Sequence, residues 1–431
     1  MIGVNPVAGT CVFLLGGMAA ALYLLPLRAV KGWSYESGWL VSVLAGWLVF
    51  PLAFDAFVVP DLFAVIAGDG LWTFVRTIAF GALWGVGALC WALMVRYLGV
   101  GLGLAVGAGL CAAAGTLLPP VLAGDAASLV ATSGARTVLG GVFGSLVGIV
   151  LVGAAGRMKE NEMSPEAKRE AVKEYDFRKG IATAVIAGFA SAGINFGLQG
   201  APAWESAALA QGVRPAWAGM PVLTVTLWGG LIPQFIWVLV QHRRNRSAGD
   251  YLDVSGGRVA NYPLAASVGI VGVMQFVLQK VGEPMMGPVR YISFGVLMAS
   301  AIFFSSVVGA ALGEWRGTSR RTRGALLLGL AVLLASFAAI SRGGKSAVHR
   351  CPQPSPADSS RAGFELPSRG SNAGGTIGRF STGEVKHEYE RDAHENVSFD
   401  DGRGRGGSFV RRSARSAGDF RRTERLYSGA A

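Results

Sequence analysis

Long apolar stretches alternate with short polar ones along the first 341 residues, and ten of the apolar stretches are long enough to cross a bilayer. A spanning helix needs about 20 apolar residues, because each rises about 1.5 Å through about 30 Å of hydrocarbon. The pattern predicts spans over residues 6–27, 38–59, 71–95, 98–121, 137–155, 180–200, 215–241, 262–282, 288–312 and 324–341. Charge is nearly absent within them, which argues against a large soluble α/β core. The expected fold class is an all-α polytopic membrane protein.

Residues 80–120 show the pattern at its densest. Two apolar runs are parted only by a short turn that carries Arg96 and Tyr97. After the turn, Gly99, Gly103, Gly107, Cys111 and Gly115 recur every four residues, with Gly101, Ala105, Gly109 and Ala113 on an adjoining face. Residues four apart share one side of a helix. A face of hydrogens and methyls lets a neighbouring helix approach closely, as helices do in lipid. In water so many glycines would cost roughly 1 kcal/mol each. In a bilayer the backbone has no water to turn to, and the helix persists. The ladder is read as a smooth surface along which a helix shifts.

The polar loops alternate in charge. Of the Lys and Arg residues up to position 341, 18 fall in every second loop, and only Arg76, Arg136, Arg214, Lys280 and Arg290 lie elsewhere. The positive-inside rule places the basic set in the cytoplasm and both termini outside. Mean hydropathy is +0.44, and hydrophobic residues make up 52% of the chain. The net charge of +12 is therefore largely topological, and nucleic acid is not read as a partner. The first apolar run lacks a basic leader and continues into Pro26 and Arg28, so it reads as a span and not as a cleaved signal. Cys11, Cys90 and Cys111 fall within spans at no metal-binding spacing and read as packing residues.

Five spans precede the longest internal polar segment and five follow it. The expected organisation is a first membrane half at 1–156, a cytoplasmic helical linker at 157–179, a second half at 180–342 and a disordered Arg/Ser/Gly-rich tail at 343–431. An odd number of spans per half gives the halves opposite orientations, the arithmetic of an inverted repeat. Laying residues 16–33 over 187–204 aligns Gly17 with Gly188, Ala19 with Ala190, Leu27 with Leu198 and Trp33 with Trp204. The tail cannot bury enough surface to offset its conformational entropy. Its GRGRGG run at 402–407 has an RNA-binding look but no supporting context.

No Walker motif, paired histidines or other enzyme constellation stands out, and no cofactor or metal is expected. GLGLAVGAG lacks the strand and acidic partner of a dinucleotide site. Polar groups inside spans are the better guide, because such groups in lipid usually line a cavity. Asp55 and Arg76 lie at similar depths in spans two and three, where either the two form a salt bridge or Asp55 serves as a proton-coupling or substrate carboxylate. Asn195 and Gln199 sit one turn apart in span six, and Gln275 and Gln279 repeat the spacing in span eight. These amides serve either as ligands for a hydroxyl-rich solute or as interhelical hydrogen bonds. Trp84, Trp91, Phe196 and Phe276 offer flat surfaces to the C–H face of a sugar. Glu205 and Glu283 fall at outer span ends, where solvated rim charge is the default. Proton carriage calls for a carboxylate buried enough to exchange a proton near the working pH. Asp55 is the better buried candidate and Glu205 the second.

Several motifs, loops included, resemble those of a known family. VKGWSYESGW (30–39), FGALWGVG (80–87), MVRYLGVGLGLAVG (94–107), GTLLPP (115–120), FRKGIATAVIAGFASAGINFG (177–197), RYISFGVL (290–297) and GEW (313–315) are similar to the bacterial L-rhamnose–proton symporters. These belong to the drug/metabolite transporter superfamily. The resemblance runs in order over about residues 10–341. It implies ten helices in two inverted five-helix halves and a proton-driven sugar permease of the inner (plasma) membrane. Where the family carries a histidine in span one and polar residues in span three, this chain has Cys11–Phe13 and ALCW at 88–91. The expected partners are a small sugar, protons and the lipid bilayer. An alternating-access carrier with Asn195, Gln199, Gln275, Trp84 and Trp91 at the sugar and Asp55 or Glu205 at the proton is the favoured reading. A metabolite or drug exporter of the same superfamily and a non-transporting sugar sensor remain alternatives, and a homodimer is left open.

Overall fold

Apolar helices that cannot hydrogen-bond to lipid must satisfy their backbones internally, and the described residues are dominated by helices, which do so. The computed structural model describes residues 4–122, 124, 126–164, 176–252 and 255–350. Among them every regular element is helical: α1 (Pro6–Leu22), α2 (Tyr35–Val43), α3 (Phe50–Val58), α4 (Leu62–Ala67), α5 (Gly70–Leu122), α6 (Ser133–Glu162), α7 (Phe177–Gln199), α8 (Pro202–Ala210), α9 (Met220–Asn245), α10 (Asn261–Met286), α11 (Ser293–Ala311) and α12 (Arg320–Arg350). Side chains cap the ends that sequence alone leaves open. Asn5, Asp61, Thr132 and Asp176 accept from the first-turn amides of α1, α4, α6 and α7 at 2.9–3.2 Å, as N-caps do.

Among the described residues, eight apolar stretches are long enough to cross a membrane. One of them, Tyr35–Val58, joins α2 to α3 through a single π-helical turn, Leu44–Val49. Another, Arg258–Ala311, holds both α10 and α11. These are parted by Gly287, at φ 57, and a short 3-10 turn. The stretch 80–120 falls within α5, which is not straight. Gly99 has φ 79 and ψ 169, a combination open essentially to glycine alone. Beyond it the chain doubles back. The side chain of Met94 meets Gly103 and Gly107, and Trp91 also meets Gly107, whereas a straight helix would hold residues 91 and 107 about 24 Å apart. The glycine ladder therefore packs first against its own preceding arm.

The long helices α1, α5 and α6 find their main partners among helices that follow residue 176. α1 packs on α10 and α11, α5 on α7, and α6 on α12. Along α6, Gly141, Gly144 and Gly148 face Ile340, Ser336 and Leu333 of α12, while Phe143, Val147 and Val150 are exposed on the other side. Small residues inward and bulky ones outward is the pattern expected of helices packed in lipid.

The basic loops meet at one end. Lys159 lies 3.8 Å from Glu314 and 5.0 Å over the Trp315 ring. Burial pushes the Glu314 carboxyl up, against the pull of Lys159 and Arg28. At the same end Lys31 and Asn261 exchange hydrogen bonds of 3.1 and 2.8 Å. One boundary differs from expectation: α12 continues through Gly343 and Gly344. Close packing of these glycines on α6 and on Pro6 offsets their weak helix propensity. Residues 165–175 of the expected linker and 351–431 of the expected tail, GRGRGG included, lie outside the described residues.

Candidate functional site

Side chains from α7 and α10 meet near the end of the bundle opposite the basic loops and bring two buried amides together. Asn195 donates through Nδ2 to the Gly115 carbonyl at 2.5 Å. A carbonyl only accepts, so this contact sets the amide's orientation and turns Oδ1 towards Gln279. Gln279 Nε2 donates to it at 2.9 Å. The same Nε2 lies 3.2 Å from Glu283 Oε1 and 3.2 Å from Ser293 Oγ. Three acceptors thus compete for two amide hydrogens. Gln279 Oε1 is buried and has no partner among the described residues. Both amides are 0% exposed, and an unpaired acceptor at that depth costs about 1–3 kcal/mol.

An ion cluster adjoins the amides. Lys280 is ion-paired with Glu205, bonds Glu283 Oε2 at 2.8 Å and donates to the Leu198 carbonyl at 3.3 Å. All three ammonium hydrogens are used. Ser293 Oγ donates to Glu283 Oε1 at 2.9 Å, so both oxygens of that carboxylate are engaged. A cleft beside the cluster is lined by Gln199, Pro202, Glu205, Lys280, Glu283 and Arg290. The expectation that Glu205 and Glu283 are solvated rim charges is corrected here. The buried cation of Lys280 between them draws both inward, and Glu283 is only 7% exposed.

Aromatic side chains continue the interior towards the basic end. The Trp47 and Trp84 rings lie 4.5 Å apart, and Trp84 meets Phe276 edge-on at 5.5 Å. Phe276 is one turn from Gln279 on α10, so the stack abuts the amides. Trp39 Nε1 donates to Gln234 Oε1 at 2.9 Å, and Gln234 donates onward to the Gly85 carbonyl at 2.8 Å. Trp91 is held by a 2.7 Å bond to Ser191 Oγ.

The sequence candidates therefore divide. Asn195 and Glu205 belong to the network, Gln199 lines its cleft and Trp84 abuts it. Gln275 turns back on its own helix, donating to the Gly272 carbonyl at 2.8 Å. Asp55 and Arg76 do not pair. Asp55, 0% exposed, accepts from Thr224 Oγ1 at 2.6 Å, and Arg76 donates to the Gly200 carbonyl. The helices around span two set this: α9 inserts Thr224 beside Asp55. Lys280 and Ser293 were not singled out, although a lysine within a predicted span was itself a signal. Ser293 carried none. Among the described residues no group of three or more His, Cys, Asp and Glu is placed to hold a metal.

At the basic end a second polar network ties the start of α2 to the end of α9 and the loop after it. Glu36 Oε1 accepts from Asn245 Nδ2 at 2.8 Å and Ser247 Oγ at 2.6 Å. Asp250 Oδ2 accepts from the amide and hydroxyl of Ser34 and from Ser37 Oγ at 2.7–2.8 Å. His242 contacts Ser247 and Tyr251, each at 2.8 Å. The WSYESGW motif forms one side of this junction.

A helical bundle with a buried amide and ion network fits what comparison with known proteins finds. Residues 4–346 match the model of the L-rhamnose-proton symport protein family. The L-rhamnose-proton symporters of Salmonella dublin and Salmonella enteritidis PT4 are each 31% identical over 325 residues, covering 74% of this chain and 93% of the relative. That of Citrobacter koseri is similar to the same extent. The match covers the amides, the ion cluster and the junction at the basic end, and so the chain belongs to the L-rhamnose-proton symport family, whose members are multi-pass membrane transporters and not enzymes.

Proposed function

We infer that this protein is a secondary transporter of the inner membrane that takes up L-rhamnose together with protons. Family membership over residues 4–346 carries the reading, and the buried amides supply chemistry that suits it. A sugar hydroxyl both donates and accepts. Gln279 Oε1 is an acceptor without a partner, and Asn195 and Gln279 share hydrogens that a bound hydroxyl can redistribute. The Trp84 stack offers an apolar face to sugar C–H groups. In this reading Asn195, Gln279 and Trp84 meet the sugar, Gln199 lies on its entry path, and Gln275 and Trp91 line the wall. Asp55 and Glu205 are the proton carriers that the sequence suggests.

The architecture behind this is ten crossings in two inverted halves, residues 1–156 and 180–342, rocking around a midplane site. Splitting Arg258–Ala311 at Gly287 and counting the returning arm of α5 brings the eight long stretches to ten. The packing supports the repeat as well. α1 lies on α10 and α11 as α7 lies on the two arms of α5, and α6 meets α12, so exchanging the halves preserves the pairing. Gly17 and Gly188, aligned by the internal match, then occupy equivalent places. Gly17 packs on Ser300 of α11 and Gly188 on Leu110 of α5.

Counterflow in proteoliposomes tests the function. Unlabelled L-rhamnose inside should accelerate entry of the labelled sugar, and a gradient alkaline inside should accelerate net uptake. Failure of any sugar in a competing panel to slow the exchange, or no exchange at all, defeats the carrier reading. Export driven by the opposite gradient would favour a different member of the superfamily.

A further inference from the structure

The ion cluster holds one cation and two carboxylates within a low-dielectric bundle. With Lys280 charged and Glu205 and Glu283 ionised, its net charge is −1. Moving such a cluster between two states is costly, because an uncompensated buried charge is penalised. One added proton makes it neutral. The two carboxylates are not equivalent acceptors for that proton. The Glu205 side chain is 24% exposed and reaches Lys280 from α8 at the cleft mouth. Glu283 faces two ways at once. Its Oε2 bonds the ammonium, and its Oε1 accepts from Ser293 and lies within reach of Gln279.

From this geometry we propose that Glu283 is the proton-coupling residue, and that it reads the sugar site through Gln279 and Ser293. The proposal rests on the symport reading above. When a proton from the cleft forms an O–H bond on Glu283, Lys280 keeps Glu205 as its counter-ion. Glu283 then changes from an acceptor into a donor. The hydrogens of Gln279 and Ser293 that pointed at its Oε1 become free for sugar hydroxyls, and Gln279 Oε1 takes a hydrogen bond in return. Sugar and proton therefore favour each other. On release the O–H bond breaks, the proton returns to water, and the Lys280–Glu283 pair re-forms.

Two further cations adjoin the cluster. Arg290 lines the same cleft, and Arg76 of α5 holds the Gly200 carbonyl at its edge. α1, α9 and α11 bring no charged side chain to this end of α10. The competing carboxylate, Asp55, is bonded to Thr224 and takes no part in the amide network.

The test is proton uptake on sugar binding, measured with detergent-purified full-length protein in weakly buffered solution as L-rhamnose is added. By linkage, binding to the unaltered protein should draw in about one proton per sugar above the midpoint of its pH dependence. Glu283→Gln should reduce this ratio about tenfold or more, whatever its effect on affinity. Glu283→Asp should restore it with a displaced midpoint. An unchanged ratio in Glu283→Gln overturns the proposal, as does loss of the ratio in Asp55→Asn instead. If Glu283→Gln does not fold or bind, Glu283→Asp decides: a midpoint equal to that of the unaltered protein assigns the proton elsewhere. An unaltered protein that binds no L-rhamnose overturns the symport reading and this assignment with it.

Discussion

Gly99 shows how much one residue can settle in this chain. Its φ of 79 and ψ of 169 let α5 reverse direction in a single step. A Cβ there would also fall 2.7 Å from Glu160 Oε1. Gly99→Ala therefore combines backbone strain of about 1–3 kcal/mol with a clash against a buried carboxylate. Its melting temperature in detergent should fall by several degrees, and its yield in membranes should drop. Thermal unfolding curves that superimpose on the unaltered protein would contradict the account. The sequence marked Gly99 only as one rung of a ladder, since spacing reveals a helical face but not a positive φ. The amide of Asn195 was legible because a polar group inside an apolar run has few uses. Ser293 was not. Its role comes from where α11 begins after Gly287, which no local pattern announces.

At the scale of helices, small residues decide which surfaces meet. The sequence reading of the 99–115 ladder as a packing face holds in that Gly107 lies against Met94 and Trp91, and its carbonyl lies against Gly188 of α7. What periodicity could not give was the partner, because a ladder fits any smooth neighbour equally well. The arm preceding the turn takes one side and α7 the other. A leucine at Gly188 must displace Leu110 and the Gly107 backbone, an overpacking that costs about 1–3 kcal/mol. Gly188→Leu should cut counterflow about tenfold or more, while Gly188→Ala, with less to accommodate, retains more. Equal exchange rates in both variants and the unaltered protein would show that α7 and the returning arm of α5 need not stay this close. Span ends were the weaker part of the reading. The expected break at Gly343 disappears because α6 and Pro6 supply packing that composition does not reveal.

At the scale of the molecule, the described residues form a dense polar junction between α2 and the segment after α9 at the basic end. Glu36, Ser34 and Ser37 before and within α2 hold Asn245, Ser247 and Asp250 beyond the membrane part of α9. Trp33 packs edge-on against Tyr251 and Tyr262 at 5.7 and 4.8 Å. If the halves rock around the site between α7 and α10, access from the basic end requires this junction to part. Its strength then sets how often the carrier opens on that side. Glu36→Ala removes the acceptor of two short hydrogen bonds. Bonds to a charged group are worth about 1.5–3 kcal/mol, so the population open at the basic end should rise about tenfold or more. Ser42 provides a reporter. It is 1% exposed and lies just inside the junction, where its hydroxyl bonds the Gly38 and Ala265 carbonyls at 2.8 Å. In a background with the native cysteines replaced, Ser42→Cys should react slowly with a water-soluble maleimide applied from the basic side. Adding Glu36→Ala should accelerate that reaction by about the same factor as the population shift. A rate that does not change would mean the junction holds the halves together without gating them, and access from the basic end would have to be sought along another path.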